Sequence, residues 1–160
     1  MVENGLAIKD YLDQDQNVLL NTVPSTITAL IDSETNWSAV NAINLAGEPI
    51  PKYCLENLAL DRIEVRNLYG PSESTTYSTF TRINDAENVT IGRPIKNTIV
   101  HILDENNQLL PIGVAGEICI SGLGLAKGYL NNEELTAEKF LENPFNSCER
   151  LYKTGDIGKW

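Results

Sequence analysis

The sequence predicts an α/β lobe that gives way past its midpoint to a mostly antiparallel β lobe. Short apolar runs alternate with helical apolar stripes up to about residue 70, the pattern of parallel βαβαβ units. Beyond that point, β-rich segments are separated by turn clusters. The composition, 160 residues with 42% hydrophobic and 21% charged, is that of an ordinary folded chain. A chain of this length can bury roughly two-thirds of its unfolded surface.

Asn17-Val18-Leu19-Leu20-Asn21 reads as a short buried parallel strand, and Pro24 opens a helix with Ile27, Leu30 and Ile31 on one face. Ala42-Ile43-Asn44-Leu45-Ala46 is a second strand, stopped by Gly47. A second helix follows, with Ile50, Tyr53, Cys54 and Leu58 on its apolar stripe. Residues 62–68 form a third strand that ends in Tyr69-Gly70-Pro71, so the sheet is expected to be three-stranded and parallel. Residues 75–82 are β-rich, and residues 98–103 are a strand followed by the turn cluster Asp104-Glu105-Asn106-Asn107. Residues 117–121 alternate polar and apolar, as a half-solvated antiparallel strand does. Asn131 or Asn132 caps a short helix that turns Ala137, Phe140 and Leu141 inward, and a last strand begins at Leu151. The lobes divide as 1–85 and 86–160. A strand that starts so near the end, and a small sheet with an open edge, suggest a piece of a larger domain.

The 22 acidic against 12 basic residues give a net charge of −10 with no basic cluster, which argues against nucleic acid and against anionic membranes as partners. Three cysteines, Cys54, Cys119 and Cys148, form no CxxC pair, and His101 is the single histidine. That combination points to reduced thiols rather than disulfides or a zinc site. The first five residues have neither a basic nor an apolar stretch, and no run approaches membrane-span length. A cytoplasmic protein is expected.

Three segments carry candidate chemistry. Asn67-Leu68-Tyr69-Gly70-Pro71-Ser72-Glu73-Ser74-Thr75-Thr76 follows a strand at the carboxyl end of a parallel sheet, where α/β proteins bind ligands. Its Ser72 hydroxyl suits a phosphate, and the Glu73 carboxylate suits Mg2+, which takes one or two carboxylates together with phosphate oxygens. Gly122-Leu123-Gly124-Leu125-Ala126-Lys127-Gly128 fails both the GxGxxG and the GK[ST] patterns and reads as a glycine-rich connection. Thr154-Gly155-Asp156, placed after a strand, offers a carboxylate that can accept hydrogen bonds from two ribose hydroxyls. Asn44, an amide in an otherwise apolar strand, needs partners, either a neighbouring strand or a ligand.

Taken in order, these segments resemble the adenylate-forming superfamily, and most closely the adenylation domains of nonribosomal peptide synthetases. The resemblance runs through Asn21-Thr22-Val23-Pro24-Ser25, Leu45-Ala46-Gly47-Glu48-Pro49, the Asn67 to Glu73 run and Ile91-Gly92-Arg93-Pro94-Ile95. It continues through Gly116-Glu117-Ile118-Cys119-Ile120, the glycine-rich run, Leu135-Thr136-Ala137-Glu138-Lys139-Phe140 and Tyr152-Lys153-Thr154-Gly155-Asp156, covering nearly the whole chain from residue 17.

The resemblance implies an internal piece of the large N-terminal lobe of such an enzyme, with the second lobe barrel-like. It implies ATP and Mg2+ as cofactors, with Ser72 and Glu73 as catalytic contacts to the α-phosphate and metal, and Glu73 as the metal ligand. Gly47, Glu48, Pro49 and Tyr69 would frame the adenine, Asn67 and Gly70 would complete the nucleotide site, and Asp156 would hold the ribose. Asn21, Asn44, Ala46, Leu68, Thr76 and Tyr77 would line the amino-acid pocket. None of these six is charged, Leu68 and Tyr77 are bulky, and the set looks like the one the family associates with alanine.

The implied reaction makes an aminoacyl-adenylate and passes the acyl group to the phosphopantetheine thiol of a carrier domain, with condensation domains as further partners. The family's phosphate loop, amine-binding aspartate and catalytic lysine are not in this sequence, so these 160 residues alone are expected to be inactive. Other adenylate-forming ligases (a D-alanine–carrier-protein ligase, an acyl-CoA synthetase) and a non-catalytic α/β interaction module are the alternatives.

Overall fold

The computed structural model describes residues 3–12 and 17–160, with side chains from residue 8 onward. Met1 and Val2, on which the expectation of a leaderless start partly rests, lie outside the described residues. The chain divides into two compact units that interleave in sequence. One ends at Tyr69 and resumes over Phe80–Arg93; the other comprises Gly70–Thr79 and Pro94–Trp160.

The first unit opens with helix α1 (Glu3–Leu12), which the sequence reading did not foresee. Its last turn packs Leu12 into the core, and the Lys9 ammonium donates to the Ser33 carbonyl. Strands β1 (Val18–Thr22), β2 (Val40–Ala46) and β3 (Glu64–Tyr69) pair in parallel, as expected, with Asn21 opposite Asn44 and Ala46 opposite Leu68. The sheet is larger than the three strands predicted. Strands β4 (Thr79–Ile83) and β5 (Arg93–Pro94) extend it in the order β1-β2-β3-β4-β5. The β-rich stretch at 75–82 therefore joins this sheet from residue 79, after Thr75 and Thr76 adopt left-handed backbone.

Helices α2 (Pro24–Asp32) and α3 (Lys52–Glu56) connect the parallel strands. Pro24 sits in the first turn of α2, where its missing N–H costs nothing. Ile27 and Leu30 of α2 and Cys54 and Leu55 of α3 are buried against Ile43, Leu45 and Val65. Helix α3 is shorter than the stripe implied, and Tyr53 leaves it for solvent, 46% exposed, donating its hydroxyl to Asp32 at 2.8 Å. A phenol keeps one polar end wet.

The second unit is a four-stranded sheet, in the order β6-β7-β9-β8: β6 (Thr98–Leu103), β7 (Gly116–Gly122), β8 (Phe140–Glu142) and β9 (Arg150–Gly158). All three pairings are antiparallel, as expected from residue 98 onward. The sheet is open, with β6 and β8 at its edges, and does not close into the expected barrel. Strand β7 is not half-solvated: Ile118, Cys119, Ile120 and Ser121 are all buried in succession. As a central strand between β6 and β9 it is covered on both faces, which the alternating sequence pattern did not reveal. Helix α4 (Glu133–Lys139) is capped by Asn132, whose side chain accepts from the Leu135 N–H at 3.0 Å. Ala137 is exposed rather than inward, because the helix buries none of its residues and the inward turn begins only at Phe140. Among the described residues no helix is long and apolar enough to cross a membrane.

Candidate active site

In the first unit, the predicted pocket residues collect at the carboxyl ends of the parallel strands. Asn21 and Asn44 are neighbours across β1 and β2, and Ala46 and Leu68 are neighbours across β2 and β3. Ile43 and Leu45 point to the helical core, so alternation puts Asn44 and Ala46 on the opposite face. The Asn44 Oδ1 is shielded from solvent yet accepts no hydrogen bond. An orphan acceptor of this kind is costly unless a donor arrives. Behind this row lies a feature that sequence reasoning missed. Arg66, opposite Asn44, donates its Nε to Glu64 at 2.8 Å, and that hydrogen bond holds the Glu64 carboxyl below its usual range. The Asn67 side chain donates to the Thr90 carbonyl at 2.9 Å.

The Gly47-Glu48-Pro49 turn has a local structural role as well. Val23, which precedes helix α2, gives it no side-chain cap. The Glu48 carboxylate supplies one instead, accepting from the Ser25 N–H at 3.0 Å and the Ser25 hydroxyl at 3.1 Å. A carboxylate at a helix N-terminus also meets the positive end of the helix dipole. Only the Ser25–Glu48 pairing in space discloses this, since 23 residues separate the partners.

In the second unit, Pro71 leads into a single 3-10 turn, Ser72–Ser74, that presents the Ser72 and Glu73 side chains. Gly70 is required by the loop itself: a Cβ there would lie 2.6 Å from the Ser78 nitrogen and 2.7 Å from the Thr76 oxygen. The close neighbour of Gly70 is thus the loop's own backbone. Thr76 and Tyr77, the remaining pocket candidates, sit on this loop, Thr76 exposed with φ +74° and Tyr77 half-buried.

The glycine-rich segment 122–128 holds the turn in place. The Ala126 N–H donates to the Glu73 carbonyl at 2.7 Å, and the Thr75 hydroxyl donates to the Gly124 carbonyl at 2.6 Å. Just beyond, the Tyr129 hydroxyl donates to the Glu73 Oε1 at 2.6 Å and lies 3.4 Å from the Tyr152 hydroxyl. The Tyr129 hydrogen bond, more than burial opposes it, keeps the Glu73 carboxyl below its usual range. Burial, reinforced by the Tyr129 and Glu73 contacts, pushes the Tyr152 phenol up, so it stays protonated. The expected structural reading of the glycine-rich run therefore agrees with its hydrogen bonds.

Thr154-Gly155-Asp156 lies within β9, not after a strand. Glu117 pairs with Ile157 and Cys119 with Lys153, so β9 advances four residues where β7 advances two, and the excess forms a bulge. The Thr154 hydroxyl donates to the Ile118 carbonyl at 2.7 Å and accepts from the Asp156 N–H at 3.0 Å. Glu117 accepts from the Gly155 N–H at 2.9 Å and pairs with Lys153 at 3.1 Å. Asp156 is exposed on this bulge.

Residues 5–130 match the model of a family described as AMP-binding enzyme. The chain belongs to that family. It is 58% identical over 168 residues to bacitracin synthase 3 of Bacillus licheniformis and 46% identical over 163 residues to tyrocidine synthase 3 of Brevibacillus parabrevis. Each alignment takes in 99% of the chain, but the chain spans only 3% and 2% of those synthases. Among solved structures, a holo four-domain nonribosomal peptide synthetase bound to AMP and glycine superposes with a TM-score of 0.85 at 37% identity, over 96% of this chain and 12% of that one. The resemblance to adenylation domains of nonribosomal peptide synthetases is borne out, and the AMP-binding sequence continues through both units.

Proposed function

We propose that this chain is part of an adenylation domain that activates an amino acid with ATP and loads it onto the phosphopantetheine thiol of a carrier domain, in a synthetase that also carries condensation domains. The observation that carries the reading is the Ser72-Glu73 turn, anchored at two points on the glycine-rich segment and displaying one carboxylate held by the neutral phenol of Tyr129 just beyond it. The AMP and glycine in the similar four-domain synthetase support a nucleotide and an amino acid as its ligands.

The donor set fits Mg2+. Among the described residues no group of three or more His, Cys, Asp or Glu could cage a metal, and Mg2+ is content with one or two carboxylates plus phosphate oxygens and water. Glu73 is the ligand; when bound, the ion neutralises phosphate charge. Within the second unit, Ser72 donates to an α-phosphate oxygen beside Gly70, and Asp156 accepts from the ribose hydroxyls. The amino-acid carboxylate oxygen bonds to the α-phosphorus while the bond to the β-phosphate oxygen breaks, and pyrophosphate leaves. The residues' work is alignment of two anions and stabilisation of developing charge.

The side chain of the amino acid meets Ala46 and Leu68, with Asn21 and Asn44 beside them at the carboxyl ends of the parallel strands. The orphan Asn44 Oδ1 supports a ligand that brings a donor. Arg66 is already paired with Glu64, so an acidic substrate gains little from it. Alanine is the substrate we favour, with glycine and serine as competitors separated by only about 10–200-fold, the worth of a methyl in an apolar pocket.

The test is amino-acid-dependent ATP–pyrophosphate exchange by the full-length parent protein with all twenty amino acids. Alanine should lead, and Glu73→Gln should lower its exchange by about 10²–10³-fold, the usual loss for a group acting on transition-state charge. A preference for an aromatic or charged amino acid would refute the pocket reading; undiminished exchange in the variant would refute the role of Glu73.

A further inference from the structure

We propose that Tyr129 is a positioning residue that fixes the Glu73 carboxylate for metal binding, with the glycine-rich segment as its mount. The proposal rests on the reading of Glu73 as the Mg2+ ligand. A glutamate on a one-turn 3-10 piece has three free side-chain torsions, and ordering them opposes metal binding. Here the ordering is done in advance. The main chain of Glu73 is pinned by the Ala126 N–H, the following Thr75 by the Gly124 carbonyl, and the carboxylate by the Tyr129 hydroxyl, at 2.7, 2.6 and 2.6 Å.

Tyr129 is itself held. Its N–H donates to the Thr136 hydroxyl at 2.9 Å, and its ring stands edge-on to Phe140 at 5.7 Å. Phe140 in turn lies under the Arg150 guanidinium, which donates to the carbonyls of Ala126 and Lys127. That guanidinium is thereby spent on main-chain carbonyls. The donor chosen for the carboxylate is instead a neutral phenol, which orients it without cancelling the charge a cation needs. A lysine or arginine in its place would compete with the metal.

The experiment measures, by calorimetry on the full-length protein, the affinity for the non-hydrolysable ATP analogue AMPPNP across a Mg2+ series and in EDTA. Tyr129→Phe removes only the hydroxyl. It should raise the Mg2+ concentration that half-maximally tightens AMPPNP binding by about tenfold, the loss of a charge-assisted hydrogen bond. Binding in EDTA, and the KM for the amino acid in exchange, should stay within about twofold of wild type, because the contact acts only through the metal ligand. Glu73→Gln should abolish the Mg2+ response, and Y129F added to it should change nothing more. Thr75→Val, which cuts the other side-chain tether, should shift the Mg2+ response in the same direction, and it decides the matter if Y129F lowers the melting temperature.

A wild-type Mg2+ response in the folded Y129F protein, with E73Q unresponsive, would make Tyr129 a structural staple and overturn the proposal. An additive loss in the double variant would do the same. If E73Q keeps its Mg2+ response, the reading of Glu73 as metal ligand fails, and the proposal falls with it.

Discussion

Two groups outside the candidate site show how burial sets chemistry residue by residue. His101 stacks on Phe145 with ring centroids 4.8 Å apart, and burial lowers its pKa from 6.5, only partly opposed by Glu149. The folded state thus prefers the neutral ring. As pH falls below 6.5, unfolded chains take up a proton that folded ones resist, so stability is complete above that pH and declines through the window below it. Thermal melts between about pH 7.5 and pH 5 should show this decline, and His101→Phe should flatten it. An equal slope in the variant would contradict the assignment. The thiols differ in the same way. Burial pushes Cys54 up to about 11 and Cys119 up to about 12, whereas Cys148 is exposed. At pH 8 a thiol reagent should modify Cys148 alone in the native protein and all three after denaturation, because thiolate and access are both needed.

At the scale of elements, the glycine-rich segment is the informative case. Gly122 closes β7 with φ +127°, and a Cβ on it would lie 2.1 Å from the Asn97 carbonyl oxygen. Gly122→Ala should therefore destabilise by about 2–5 kcal/mol, from backbone strain and overpacking together. A denaturation midpoint within error of wild type would show that the turn at Asn97 can yield. The same segment looked like a weak phosphate-loop candidate by its glycines, and its spacing alone ruled that out. What it does is support the Ser72–Ser74 turn from 49 residues away, with Tyr129 donating to Glu73 across a separation of 56. Sequence periodicity reports only on neighbours within an element, so no local pattern announces such a pairing. The bulge in β9 is similar. The sequence places Thr154-Gly155-Asp156 after a strand, but Glu117 and the Ile118 carbonyl on β7 keep it within β9.

For the whole molecule, the two compact units divide the candidate residues between them. The Asn21, Asn44, Ala46 and Leu68 group and the 47–49 turn belong to one unit, while Ser72, Glu73, Thr76, Tyr77 and Asp156 belong to the other. The 160 residues contain no Ser/Thr/Gly-rich phosphate loop, and catalysis by a residue set that acts as a unit collapses when members are absent. Purified by itself, this chain should give no amino-acid-dependent ATP–pyrophosphate exchange above a Glu73→Ala control. Exchange clearly above that control would mean that these 160 residues suffice.

By itself the sequence determined the parallel β1-β2-β3 core, the α2 start at Pro24, the antiparallel strands from residue 98, an asparagine cap at 131 or 132 and the family. Each of these depends on contacts within a few residues, or on motifs in a fixed order, that a linear reading can register. Tertiary structure alone decided the two added strands, the open rather than barrel-like second sheet, the burial of β7 on both faces, the Glu48 cap on α2 and the tyrosine behind Glu73. These depend on which strand lies beside which and on side chains that meet across 20 to 60 residues, where burial and hydrogen bonding are properties of the packed neighbour and not of the local sequence.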